Sequence, residues 1–137
     1  MAILKGKISK LYSDLDLEFT KNPVTNDVSK KTDTAAVKQA LRILILSNFY
    51  ERPFAHKKAG NLRGYLFQQI DILAAQSIKK NLENLITSYD KRIKIEDIDI
   101  PLAGNNIDRN VLSITLYYYV IGIPTKQNLT LNLERLR

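Results

Sequence analysis

The run DILAAQSIKKNLENLITSYDKRIKIEDIDI, residues 71–100, changes its hydrophobic period once. Ala75, Ile78, Leu82, Leu85 and Tyr89 recur at alternating steps of three and four, which stacks them on one helical face. Lys79, Lys80, Glu83, Asn84 and Thr87 fall on the other face, where Lys79 and Glu83 form an i,i+4 pair. Asp71 is an N-cap, since its carboxylate can accept from free N–H groups of the first turn. From Ile93 the period drops to two. The four residues Tyr89-Asp90-Lys91-Arg92 therefore form a charged corner between a helix and a strand.

Downstream, Ile93 and Ile95 share one parity, whereas Ile98, Ile100 and Leu102 share the other. A slip at Glu96-Asp97 predicts a β-bulge or a strand that twists between two environments. Gly104-Asn105-Asn106 marks the turn region of a long hairpin. The stretch from Val111 to Ile121 is the strongest strand, with Leu112, Ile114, Leu116, Tyr118 and Val120 on one face. Ser113, Thr115, Tyr117 and Tyr119 lie on the opposite face, and Gly122 and Pro124 are expected to end the strand. A third strand is expected from Asn128 to Glu134, with Leu129, Leu131 and Leu133 on one face.

Upstream, a helix is expected from Thr34 to Ser47, capped by Thr32 or Asp33, with Val37, Leu41 and Leu44 inward. Asn48 to Asn61 reads as a loop. Pro53 stops any helix, Phe54 is expected to plug the loop onto the core, and Gly60 offers a positive-φ turn. Asn61 then caps a short helix with Leu62, Tyr65, Leu66 and Phe67 inward. His56, the one histidine, lies beside two lysines with no acid to orient it, and reads as a surface residue. Lys21 to Thr34 is a polar connector. In the run Leu11 to Phe19, Leu11, Leu15, Leu17 and Phe19 are the expected anchors, while Asp14 and Asp16 read as surface or turn residues. Residues 1–10 form a short strand or an arm. The sum is a single α+β domain over 1–137, about three helices packed on a three-stranded antiparallel β-meander at the C-terminal end.

Composition narrows the function. An apolar content of 45% suits a globular core, and no apolar run approaches the about 18 residues of a membrane span. The first residues, Met1-Ala2-Ile3-Leu4-Lys5, carry no extended apolar core of the signal-peptide kind. Zero cysteines exclude disulfides, zinc-thiolate sites and thiol nucleophiles together. The net charge of +7 is uneven: residues 1–60 hold 11 Lys/Arg against 6 Asp/Glu. Such a surplus fits either an acidic partner or a plainly solvated surface.

Three motifs then occur in a telling order: Leu11-Tyr12-Ser13-Asp14-Leu15-Asp16, then Glu51-Arg52-Pro53-Phe54 with Gly60, Leu62 and Leu66-Phe67, then Tyr89-Asp90-Lys91-Arg92-Ile93. Over roughly residues 11–135 the chain resembles the baseplate wedge proteins of contractile-tailed phages. This sheath-initiator family is shared with type VI secretion baseplates, and some members carry a lysozyme label. The family's corner motif is Glu-Pro-Arg after the long helix. Asp90 and Arg92 match its ends, while Lys91 replaces the proline and its fixed φ. The Glu51 loop has Tyr50 where a glycine is usual, and His56 where a proline is common.

The resemblance implies a structural protein of the virion tail baseplate, assembled in the host cytoplasm as one component of a sixfold hetero-oligomer. It implies that Asp90, Lys91 and Arg92 bind other wedge proteins, and that the strand bearing Leu129, Leu131 and Leu133 offers an edge to tail-sheath subunits. Glu51, Arg52, Pro53 and Phe54 form a loop that is either structural or partner-facing. No cofactor, metal or membrane is expected. Two alternatives stand beside it. The basic charge and strand tyrosines suit a small nucleic-acid-binding module. A lysozyme-like enzyme would need two carboxyl groups about 5–9.5 Å apart in a cleft. The chain has no Walker loop, dinucleotide fingerprint or Ser-His-Asp order, so a non-enzyme is expected.

Overall fold

A computed structural model describes residues 11–102 and 111–134. The expected arm at 1–10 and the Gly104-Asn105-Asn106 turn lie outside the described residues. In chain order the elements are β1 (Ser13–Leu15), β2 (Lys30–Thr32), α1 (Asp33–Leu46), a 3-10 helix (Leu62–Phe67), α2 (Ile72–Tyr89), β3 (Ile93–Asp99), β4 (Val111–Val120) and β5 (Ile123–Glu134). β1 and β2 form a small antiparallel ribbon, and β3-β4-β5 form an antiparallel meander. The α+β expectation therefore holds.

The helices bury the stripes that their spacing predicts. Val37, Leu41 and Leu44 of α1, joined by Ile45, meet Ile78, Leu82, Leu85 and Ile86 of α2 in the core. Burying each of these side chains contributes about 1.5–3 kcal/mol. The Asp71 carboxylate accepts from Ala74 N–H at 2.7 Å, the expected N-cap. One expectation fails at the helix ends. Tyr89 is exposed, and the fully buried Ile86 closes the stripe in its place. Thr32 does hold the N-cap position of α1, but without a side-chain hydrogen bond to the helix. The Asp33 carboxylate instead accepts from the N–H groups of Leu11 and Tyr12, tying the N-terminal segment to the helix.

In the sheet, Leu112, Ile114, Leu116, Tyr118 and Val120 are buried and alternate with half-buried residues, as period two requires. The parity slip in β3 is a bulge. Ile95 pairs with Tyr118 and Asp97 with Tyr117, leaving Glu96 as the extra residue. The bulge turns Ile98 back to the core, where it joins Ile93. β5 begins five residues before the expected Asn128. Gly122, at φ 90, makes the turn, and the strand resumes at Ile123. β4 ends at Val120, as Gly122 and Pro124 imply; Pro124 itself lies in β5 where the register shifts between Tyr119 and Val120, a place where a missing N–H is tolerated.

The N-terminal run is held by polar groups and one tyrosine, not by its leucines. Leu11, Leu15, Leu17 and Phe19 are all exposed, contrary to their expected anchoring role. Asp16 is buried instead. Its carboxylate accepts from the Thr20 hydroxyl, from Lys31 Nζ at 3.0 Å and from Glu18 N–H at 3.2 Å. Those hydrogen bonds, the one from Thr20 foremost, hold its carboxyl at about 2, against an ordinary 3.8. Three short strand residues cannot bury a leucine face of their own, so the ring of donors around Asp16 orders the segment.

The loop at 48–61 also departs from expectation. Phe54 is fully exposed rather than a plug, and Phe67 of the 3-10 helix faces outward too. Gly60 is needed for close approach, because a Cβ there would run into the Ile45 carbonyl. Positive φ falls on Tyr50, Phe54 and Asn61 instead, and Asn61 makes no side-chain cap.

Candidate functional site

The corner is a closed structure of its own. Asp90 stops α2, its N–H still bonded to the Ile86 carbonyl at 2.8 Å. The Asp90 carboxylate then receives three bonds from one residue: Arg92 N–H at 3.1 Å, Arg92 Nε at 2.9 Å and the guanidinium terminus at 2.8 Å. Asp90 is only 7% exposed. Burial pushes its carboxyl upward, but the Arg92 hydrogen bonds and charge outweigh that and hold it below the ordinary range. Arg92 is raised in turn by Asp90. The bidentate fork of Arg92 restrains the turn where the family carries a proline.

Within the corner Asp90 is buried and engaged by Arg92. The Arg92 side chain is 40% exposed and Lys91 is exposed, so these two present charge outward. Tyr12 completes the corner. Its ring lies under the Arg92 guanidinium at 5.6 Å, and its hydroxyl donates to the Ile121 carbonyl at 3.0 Å. Ile121 N–H donates to the Arg92 carbonyl at 2.8 Å. The corner, the β4–β5 turn and the N-terminal segment thus form one unit. Sequence reasoning missed Tyr12 and Ile121; Tyr12 does stand inside the first motif of the resemblance, which was the one available signal.

The loop residues divide by role. Glu51 accepts from Asn48 N–H at 2.9 Å and Asn48 Nδ2 at 2.6 Å, and its carboxyl is lowered by those bonds. Arg52 donates to the Ser47 hydroxyl at 3.2 Å. Both therefore staple the loop to the end of α1, while Pro53 and Phe54 are exposed. His56 stacks on Tyr50 with ring centres 5.7 Å apart.

At the sheet, Leu129 and Leu131 are buried and Leu133 packs against the core. Their side chains hold β5 in place, and what β5 can offer outward is its backbone. Only β4 pairs with it among the described residues. Its solvent face between Gln127 and Leu133 shows Asn128, Thr130 and Asn132, all exposed and none charged. Tyr117 is covered by the Lys126 ammonium at 4.9 Å, which in turn pairs with Glu96 at 2.6 Å. That leaves a poor stacking platform for bases. Among the described residues no three His, Asp or Glu side chains come together as a metal site. No helix among them is long and apolar enough to cross a membrane.

The described residues thus form a layer of helices on a three-stranded meander, with a charged corner and a β5 edge that is uncharged from Asn128 to Asn132. No family model matches the chain. The baseplate wedge protein gp25 of Enterobacteria phage T4 is 33% identical over 120 residues, 87% of this chain and 87% of that protein. A chain in the sixfold-symmetrised cryo-EM structure of the anti-feeding prophage baseplate shares the fold. It has a TM-score of 0.69 and 22% identity, with 82% of this chain and 88% of that one covered. The crystal structure of a putative tail lysozyme from Geobacter sulfurreducens also shares it. There the TM-score is 0.62 and the identity 16%, covering 74% and 89% of the two chains. The two structures are likenesses of fold alone. The chain belongs to the baseplate wedge protein family, as its motifs imply. It is a structural component of the virion tail baseplate.

Proposed function

We propose that this protein docks to neighbouring wedge proteins through its helix-to-strand corner and starts tail-sheath assembly by offering the outer edge of β5, with no catalytic role. One observation carries the reading: β5 is a 12-residue edge strand, backed by Leu129 and Leu131, whose outward residues between Lys126 and Glu134 are uncharged. An edge of that kind is a hazard in a free protein and a template in an assembly, where backbone hydrogen bonds need no side-chain signature. Arg92 and Lys91 supply the charge at the corner, Asp90 keeps it rigid, and the exposed Phe54 of the 48–61 loop offers a further contact.

The corner is tested by Lys91→Glu. Lys91 is exposed and makes no described ion pair, so the variant should fold normally and fail to join wedges in producing cells. Baseplates of normal yield would refute that role. The sheath reading is tested by co-purification of the intact protein from those cells. Baseplate and sheath proteins should come with it, and recovery of the protein alone would count against it. Deleting residues 128–137 is a poorer test, since it also removes Leu129 and Leu131 from the core.

A further inference from the structure

A second concavity opens beside the corner, between the 48–61 loop and α2, with a volume near 360 Å³. Phe49, Tyr65, Leu85 and Tyr89 give it apolar walls, and Asn81 and Asn84 line its helical side. Asn81 Nδ2 donates to the Tyr65 hydroxyl at 2.7 Å, so that wall is ordered before anything binds. Tyr50 and Asn61, at φ 68 and 49, hold the facing loop in a conformation that side chains rarely adopt. The space suits one large apolar side chain and its neighbours.

Charge around the groove has one sign. Among the described residues Lys57 is the only charged one lining it. Lys58 lies over the Tyr89 ring at 5.2 Å, and Lys91 is exposed two residues beyond Tyr89. The nearby acids do not offset them: Asp90 is consumed by Arg92, and Glu51 faces the opposite groove beside α1. That other groove is larger, near 600 Å³, but Glu18 and Glu51 stand in it with Lys31, Lys38 and Arg42, so it selects no sign of charge.

We infer that the loop–α2 groove receives an acidic segment of a partner protein, anchored by one large apolar side chain between Phe49, Leu85 and Tyr89 and steered by Lys57, Lys58 and Lys91. The inference rests on the corner being a docking face and adds the chemistry of what docks there. A protein segment fits better than nucleic acid. One lining lysine among aromatic and amide groups neutralises few phosphates, whereas an aromatic-lined groove that a partner can close over, with a charged rim, is the usual setting of a protein hot spot.

The test places a photo-crosslinking amino acid at Asn84 in the full chain, in cells that assemble tails, and maps the cross-linked site by mass spectrometry. The expected product is one protein segment with Asp or Glu on both sides of a large apolar residue. Lys57→Glu should then lower incorporation into baseplates by at least about tenfold. Changing an acid of the mapped segment to Lys should restore it. Cross-links to a basic segment or to nucleic acid would overturn the inference, as would a Lys57→Glu protein that incorporates normally. If wedge joining depends on Lys91 yet Asn84 gives no cross-link, the groove is refuted while the corner's role stands.

Discussion

The two edges of one sheet are built in opposite ways. β3 is short and bulged at Glu96, and it carries charge along its length: Lys94, Glu96, Asp97 and Asp99. Lys79 of α2 clamps Asp97 at 2.7 Å, and Lys126 reaches Glu96 from across the sheet. β5 is longer, and its outward residues from Asn128 to Asn132 are amides and a hydroxyl. Bulges and charges are how natural sheets discourage strand addition, so β3 is guarded and β5 is open. On the proposed function, β3 is fixed by the corner it grows from, and the 128–132 stretch of β5 is the edge a partner would use.

The sharpest way to break this contrast is to guard β5 as β3 is guarded. Thr130→Lys with Asn132→Glu changes two exposed side chains and leaves the core intact. Sheathed tails should fall by at least about tenfold, counted by electron microscopy, while the melting temperature stays put. At the other edge, Arg92→Ala should leave Asp90 buried without its fork. Urea unfolding should show a loss of about 1–3 kcal/mol, less than for a fully buried pair because the guanidinium is partly solvated. Changing Asp90 to Asn in the same chain should recover part of that loss.

Between the edges, Tyr118 is fully buried, and its hydroxyl has no hydrogen-bond partner among the described residues. Tyr118→Phe removes a desolvated donor at little cost in packing, and a gain of up to about 1 kcal/mol in unfolding free energy is expected. Acid should act on one edge alone. The Lys79 hydrogen bond holds the Asp97 carboxyl below its ordinary value, so its stabilising effect is complete above the ordinary aspartate range. That effect disappears as pH falls through the lowered folded value. Relative to the intrinsic exchange rate at each pH, amide protection in β3 should therefore fall below about pH 4, while that of β5 between Gln127 and Leu133, which has no titrating group, should not.

What could be read in the sequence were features written as period. The α2 stripe, the corner and the β3 bulge all follow from where Ile78, Leu82, Ile93 and Ile98 fall. Features that depend on three-dimensional partners could not. Asp16 looks like any turn aspartate until Thr20 and Lys31 close on it. Phe54 looks like a plug because it is large and apolar, yet a strained loop turns it outward. In the candidate site the position of the corner was legible, but the internal Asp90–Arg92 pairing and the Tyr12 contact were not, since both need the folded turn.

The central claim is that the outer edge of β5 receives the first sheath strand. A cryo-EM map of the sheathed tail containing this protein tests it directly. The account predicts an added strand hydrogen-bonded along β5, with β3 still an outer edge. A sheath strand beside β3, or sheath contacts that leave β5 unpaired, would contradict it.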